Sequence, residues 1–301
     1  MEKTESINVK ESSSSNKNKS KYVLEFITEK IFMAVVSLLL IIGFVFYKGL
    51  IPFVSEGYSF IDFIFGTEWL PSSKQFGIGS MIVTSMVATI GALIIGVPIG
   101  ILSAIFIAEI CPKKYAKIIS TAVELLAGIP SVLYGIFGLA VIVPAIQTVL
   151  NLPKGQSLLA VIIVLAIMML PTIISLSETS IRAVPKSYKE GSLALGASKI
   201  ETIFKVTVPA AKSGILAGVI LGIGRALGET MAVILVAGNS TAMPTSLLDS
   251  ARPLTTNIAL EMGYAAGTHQ NMLFATGVVL FIFIIIINLV LTKLTSKGVD
   301  R

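Results

Sequence analysis

The chain has 301 residues, of which 54% are hydrophobic and only 13% charged, with a mean hydropathy of +0.89. A soluble domain carries about a quarter charged residues, so the composition excludes an ordinary soluble globule and predicts an integral membrane protein. The net charge of +6 does not point to nucleic acid, because the basic residues fall between apolar runs, where membrane topology accounts for them.

Residues 1 to about 22 are polar, with Ser12 to Ser15 in a row and Lys alternating with Glu, and the tail is placed at 1–28. That composition predicts a disordered tail. No small-residue cleavage site follows the first apolar run, so the tail does not read as a cleavable signal. Six runs are long enough for a bilayer, which needs about 20 apolar residues. They lie at 29–49, 79–108, 119–147, 157–179, 211–237 and 270–292. The expected organisation is a first helix with an external loop (29–78), a main transmembrane domain (79–293) and a short C-terminal tail (294–301). Pro98, Pro130, Pro144 and Pro171 lie within these runs. Each frees a backbone carbonyl that hydrocarbon cannot satisfy, so they are expected to face other helices or a water-lined path. Pro98, Pro130 and Pro171 are candidate kinks or gate positions.

Lys and Arg set the orientation. The N-terminal tail, Lys113 to Lys117, the stretch from Arg182 to Lys212, and the C-terminus hold most of them, whereas only Lys48, Lys74, Lys154 and Arg252 fall on the opposite side. Both termini are therefore expected in the cytoplasm. The first outer connection, 50–78, carries Tyr58 and Trp69, which suit the headgroup layer. The fifth, 238–269, is polar, with Pro244 and Pro253. Either is a simple connector or meets an extracytoplasmic partner.

The longest polar interruption in the second half is Glu190 to Pro209. Ser187 with Glu190 and Ser198 with Glu201 each fit a capping box. Gly196 suits a left-handed turn, and Pro209 an end to the second helix. The expectation is two short helices at 187–209, with Ile200, Ile203 and Phe204 on one exposed apolar face between Lys199 and Lys205. It either folds back on its own protein or docks on another.

Arg225 lies mid-span, with Glu229 four residues on, hence on the same face of a continuous helix. A charge at the bilayer centre costs roughly 2.5–3.5 kcal/mol, so the pair is expected inside the bundle or in a water-filled path. It is either a structural ion pair or a substrate contact, since the guanidinium fork matches an oxyanion bidentately. Glu124 and Glu178, near the cytoplasmic ends of their spans, are expected to be solvated. One cysteine, Cys111, and one histidine, His269, exclude an internal disulfide and a Cys-cluster metal site. They read as a packed thiol at a helix end and a solvated loop imidazole. No Gly-x-x-x-x-Gly-Lys-Ser/Thr run is present, and Gly222, Gly224 and Gly228 read as allowing close helix contact.

Glu190, Gly196 and Pro209 have the spacing of the coupling loop of bacterial import-type ABC permeases, with Gly191-Ser192 in place of two alanines. Three further segments sharpen the resemblance: Gly224-Arg-Ala-Leu-Gly-Glu-Thr-Met-Ala232, Ala127-Gly-Ile-Pro-Ser-Val-Leu-Tyr-Gly135, and Leu170-Pro-Thr-Ile173 with Arg182-Ala-Val-Pro185. With Trp69 and Phe76-Gly-Ile78 they resemble the PstC family, permease subunits of bacterial phosphate ABC importers in the binding-protein-dependent transport class. The resemblance implies an all-α membrane protein with six transmembrane helices in the type I ABC importer (MetI-like) fold. It implies no catalytic residue, metal or cofactor on this chain, with ATP and Mg on a partner ATPase. It implies a heterodimer with the sister permease PstA, two copies of the ATPase PstB, the phosphate-binding protein PstS, and a bacterial plasma-membrane location. Arg225 and Glu229 would line the substrate path, and Glu190, Gly196, Ser198, Ile200, Phe204 and Pro209 would couple to the ATPase. From the residues alone, another oxyanion such as sulfate or molybdate remains open. So does a self-contained secondary transporter with the Arg225–Glu229 pair as a proton relay.

Overall fold

The computed structural model describes residues 2–296. Helix α1 runs Glu2–Val54, so the stretch 2–28, expected to be disordered, continues the helix of the first span. Nothing in the sequence stops it: the first glycine is Gly43 and the first proline Pro52. The first outer connection contains α2 (Phe60–Phe65) and a small antiparallel hairpin, β1 (Trp69–Leu70) and β2 (Gln75–Phe76), with Trp69 opposite Phe76. This hairpin is the one β-sheet among the described residues, with an isolated parallel bridge between Gly238 and Ala251 besides.

Helix α3 (Gly79–Ile105) extends through a π-helical turn, Phe106–Ile110. The third span departs from expectation. Residues 113–127 form a separate helix, α4 (Lys113–Ala127), and the membrane segment is 131–149. Gly128 and Pro130 make the break, since Pro130 is the N-cap of α5 (Ser131–Phe137). A second π-turn, Gly138–Ile142, leads into α6 (Val143–Val149), which carries Pro144 in its first turn. Of the prolines expected to be packed, Pro171 is buried, whereas Pro98, Pro130 and Pro144 are exposed on this chain.

Helix α7 (Leu158–Arg182) is the most enclosed span, and its Val161, Leu165, Met169 and Ile173 sit at the centre of the main core. It is followed by α8 (Lys186–Ala194), α9 (Lys199–Thr202), a π-turn at Ile203–Thr207 and α10 (Val208–Ala210). The chain then bends by 69° into α11 (Lys212–Gly228). Next come α12 (Met231–Val236), α13 (Leu254–Glu261) in the outer connection, and α14 (Thr268–Ser296).

Small residues let α3 and α11 approach α7 closely. A Cβ on Gly100 of α3 would stand 2.7 Å from Ile173, and one on Gly222 of α11 would stand 3.1 Å from the same side chain. Both glycines are thus fixed by one isoleucine, in the manner of small-residue packing in membranes. Gly224 and Gly228, also expected to serve close contact, meet nothing within 4 Å. Helix α1 lies outside this core and packs on α14, with Phe44 edge-on to Phe274 and Phe46 edge-on to Phe281.

Candidate functional site

Three regions carry the polar chemistry. The first is the broken fifth span. Helix α11 stops at Gly228, Glu229 is extended (φ −71°, ψ 130°), and α12 starts at Met231. The expectation that Arg225 and Glu229 share a helical face therefore fails, because the helix that would align them ends between them. The Glu229 Oε1 accepts from the Ala232 amide at 3.0 Å, capping α12, and the Thr255 hydroxyl donates to the Glu229 carbonyl at 3.0 Å. These bonds satisfy backbone groups that the break exposes. Both Arg225 and Glu229 are half-buried. Among the described residues, Arg225 is in no ion pair. Beside the break lies a cavity of about 10 Å³ lined in part by Ser85, Thr89, Glu229 and Thr255. That is close to the smallest space that holds one water, and its lining supplies polar partners.

The second region is the segment 187–209, on the side that the Lys and Arg distribution leads one to expect in the cytoplasm. Two helices form as expected, joined at Gly196, whose φ of +88° requires glycine. Ser198 caps α9 and Glu201 reaches back to the Ser198 amide, completing the capping box. The Ser198 amide and hydroxyl, with Lys205 beyond, hold the Glu201 carboxyl below its ordinary range. The other expected box is absent. The N-cap of α8 is Pro185, and Ser187 lies inside the helix. Nor does Pro209 end the second helix: the π-turn just before it precedes a further helical turn to Ala210. Of the expected apolar face, Ile200 and Phe204 are exposed but Ile203 is buried, packed into a cytoplasmic cluster with Ile107, Ile181 and Ile215. Tyr188, Leu193 and Leu195 extend the exposed apolar surface, Leu195 being 91% exposed. Glu190 and Pro209 are exposed as well. Sequence reasoning missed Leu195 because it sits in the turn, outside any helical period.

Glu124 is exposed as expected, but Glu178 is buried. Its carboxylate accepts from the Arg182 Nε at 2.8 Å and from the Ser120 hydroxyl at 2.8 Å, joining α7 to α4. Arg182 sits one turn on and supplies the charge that permits this burial.

The third region is the opposite side, the one expected to be outer. Glu261, at the end of α13, is buried and accepts three side-chain donors. The Trp69 indole reaches one oxygen at 2.8 Å, with the His269 ring at 2.8 Å beside it, and Arg252 reaches the other at 2.7 Å. Arg252 also donates to the Asn239 carbonyl and the Asn257 side chain. Trp69 is therefore not a headgroup anchor, and His269 is not a solvated imidazole. Charge balance and aromatic packing around one carboxylate put both inside. The signal was available as lone Trp, His, Arg and Glu residues in loops flanking spans, but their spacing carries no period.

Residues 96–300 match the family described as the binding-protein-dependent transport system inner membrane component. The chain is 42% identical over 254 residues to the probable ABC transporter permease protein YqgH of Bacillus subtilis, covering 83% of this chain and 82% of that one. It is 37% identical to the phosphate transport system permease protein PstC of Mesorhizobium japonicum, covering 77% of this chain and 76% of that one. With PstC of Haemophilus influenzae the identity is 36%, over 79% and 83% of the two chains. A solved bacterial ABC transporter involved in import of the acidic polysaccharide alginate superposes with a TM-score of 0.61 at 17% identity, covering 91% of this chain and 98% of that chain. The MetNI methionine ABC transporter, in inward-facing conformations, superposes with a TM-score of 0.54 at 19% identity, over 74% and 94% of the two chains. At such identity these likenesses establish the fold alone, that of type I ABC importer permeases. The chain belongs to the family of binding-protein-dependent transport system inner membrane components, and it is a multi-pass permease subunit with the ABC importer fold.

Proposed function

We propose that this chain is the permease subunit of an ATP-driven importer of inorganic phosphate. It supplies half of the translocation path and leaves ATP hydrolysis to a separate subunit. Both termini and the segment 187–209 lie in the cytoplasm, as the distribution of Lys and Arg favours. The partners are a sister permease of the PstA type, two ATPase subunits of the PstB type that hold ATP and Mg, and a phosphate-binding protein of the PstS type. The relatives named as phosphate permeases support the choice of substrate.

The observation that carries the mechanism is Arg225, a half-buried guanidinium near a break in a membrane span, with no carboxylate paired to it among the described residues. With Glu229 committed to capping α12, the guanidinium fork is free to meet a tetrahedral oxyanion. The capped helix pair α8–α9 presents Tyr188, Leu193, Leu195, Ile200 and Phe204 to the ATPase. Closure of two ATPase subunits on ATP then moves this pair as a rigid body and switches the side to which the path opens.

The test is uptake by the assembled complex in proteoliposomes. Phosphate uptake that depends on internal ATP and is lost on Arg225→Gln is the expected result. Equal or greater uptake of sulfate or molybdate moves the substrate to another oxyanion. Uptake that survives without ATP while a proton gradient remains makes the chain a secondary transporter. Wild-type uptake by Arg225→Gln removes the substrate contact.

A further inference from the structure

We propose that the π-turn Phe106–Ile110, at the cytoplasmic end of α3, is where motion of the coupling helix α8 is passed into the membrane, with Lys189 and Glu109 as the positioning pair. The proposal rests on the coupling reading above and deepens it.

Helix α8 buries none of its side chains, so apolar packing does not secure it to the bundle. The polar bonds of α8 run two ways. The Ser192 hydroxyl meets that of Thr202, 3.0 Å away, tying α8 to its neighbour in the docking pair. The Lys189 ammonium pairs with the Glu109 carboxylate, tying α8 to the π-turn. The two charged side chains are 24% and 12% exposed, which shields the pair from the screening that weakens surface ion pairs.

A second cation grips the same turn. The Arg182 Nη2 donates to the Ile107 carbonyl at 3.1 Å, while its Nε holds Glu178. A π-turn bonds each amide five residues back, as Cys111 does to Phe106 at 2.8 Å. It carries one residue more than an α-turn, so it can shed or take up a register step without breaking the helix. Arg182 at the end of α7 and Lys189 within α8 therefore both hold the π-turn that extends α3. Beyond it, α3 lies against α7 along its length, with Gly100 seated on Ile173. A pull on Glu109 is thus delivered to a helix that crosses the membrane.

Lys189 and Glu109 position the helix and touch no substrate, so the diagnostic readout is the phosphate imported per ATP hydrolysed by the full complex. A merely destabilising change lowers both rates together and leaves that ratio alone. Lys189→Glu and Glu109→Lys are each expected to lower the ratio by at least about fivefold, the smaller end of measured site-to-site couplings. The double exchange, which restores the pair with its charges swapped, is expected to recover most of the loss. A wild-type ratio in both single variants overturns the proposal, as does a double exchange no better than the singles. If a charge reversal prevents assembly, Glu109→Gln and Lys189→Met are measured instead, with the same expectation and the same overturning result. Ile200→Ala with Phe204→Ala runs alongside. If that variant keeps its ATPase and a wild-type ratio, the docking reading is wrong. If it loses its ATPase while Lys189→Glu couples normally, only the relay is wrong.

Discussion

The connections on the two sides of this permease, expected to be outer and inner, solve opposite problems. On the outer side, loops far apart in sequence converge on Glu261, whose oxygens are taken by Trp69, His269 and Arg252. Glu261 is buried and each of its oxygens has a donor, so this network is closed by side chains of this chain. On the inner side, the helix pair after α7 is locally well built, with a capping box and a glycine turn. Its Tyr188, Leu193, Leu195, Ile200 and Phe204 side chains are nevertheless exposed. A segment that is folded but leaves Leu195 and Ile200 uncovered has its shape fixed in advance and its contacts still to come. The comparison teaches where a partner is required: internal satisfaction marks the scaffold, and exposed order marks the docking face.

The sharpest way to break this contrast is Glu261→Ala. It strands the Arg252 charge and leaves the indole and imidazole without their acceptor. Losing one partner of a buried pair costs about 3–5 kcal/mol, so a clear fall in thermal unfolding midpoint in detergent is expected. An unchanged midpoint would mean that the outer side does not depend on its network. Next, replacing Ile200 and Phe204 with Ala should leave that midpoint nearly unchanged, because exposed substitutions stay within about 0.5 kcal/mol. The same change should cost at least about 2 kcal/mol of ATPase binding, as loss of interface anchors does. Co-purification measured against the wild type decides it. A smaller effect is expected at the turn. Gly196→Ala forces a side chain into left-handed backbone at about 1–2 kcal/mol, read as weaker coupling of ATP hydrolysis to uptake.

The smallest effect lies in the outer loop 245–249. The Asp249 carboxylate accepts from the amides of Ser246 and Thr245, both at 2.8 Å, and from the Thr245 hydroxyl. These bonds, the backbone ones foremost, lower its pKa. A carboxylate lowered in the folded state contributes order that is fully present above its unfolded value, about 3.9, and is lost as pH falls through the lowered value. Protection of the Thr245 and Ser246 amides, taken relative to the intrinsic exchange rate at each pH, should therefore be constant above pH ~4 and fall below it. Protection that is lost instead near neutral pH would assign the loop's order to another group.

Much of this was legible in sequence, for reasons specific to each element. The spans follow from apolar length. The cytoplasmic pair follows from Gly196 and the Ser198–Glu201 box, whose chemistry is local. What was not legible depends on neighbours. Arg225 and Glu229 look paired on a helical wheel, but the chain breaks at Glu229 because that side chain caps the next helix instead. Glu178 reads as solvated until Ser120, 58 residues away, is brought to it. Pro209 reads as a stop because the wide turn just before it has no signature in sequence. The third span reads as too long for the same kind of reason: α4 is apolar enough to join it, and only the Gly128–Pro130 corner separates them.

Trp69 and the carboxylate it serves are separated by 192 positions. The indole is therefore synthesised long before its acceptor, and the bond that ties the hairpin to α13 can close only when most of the chain has been made.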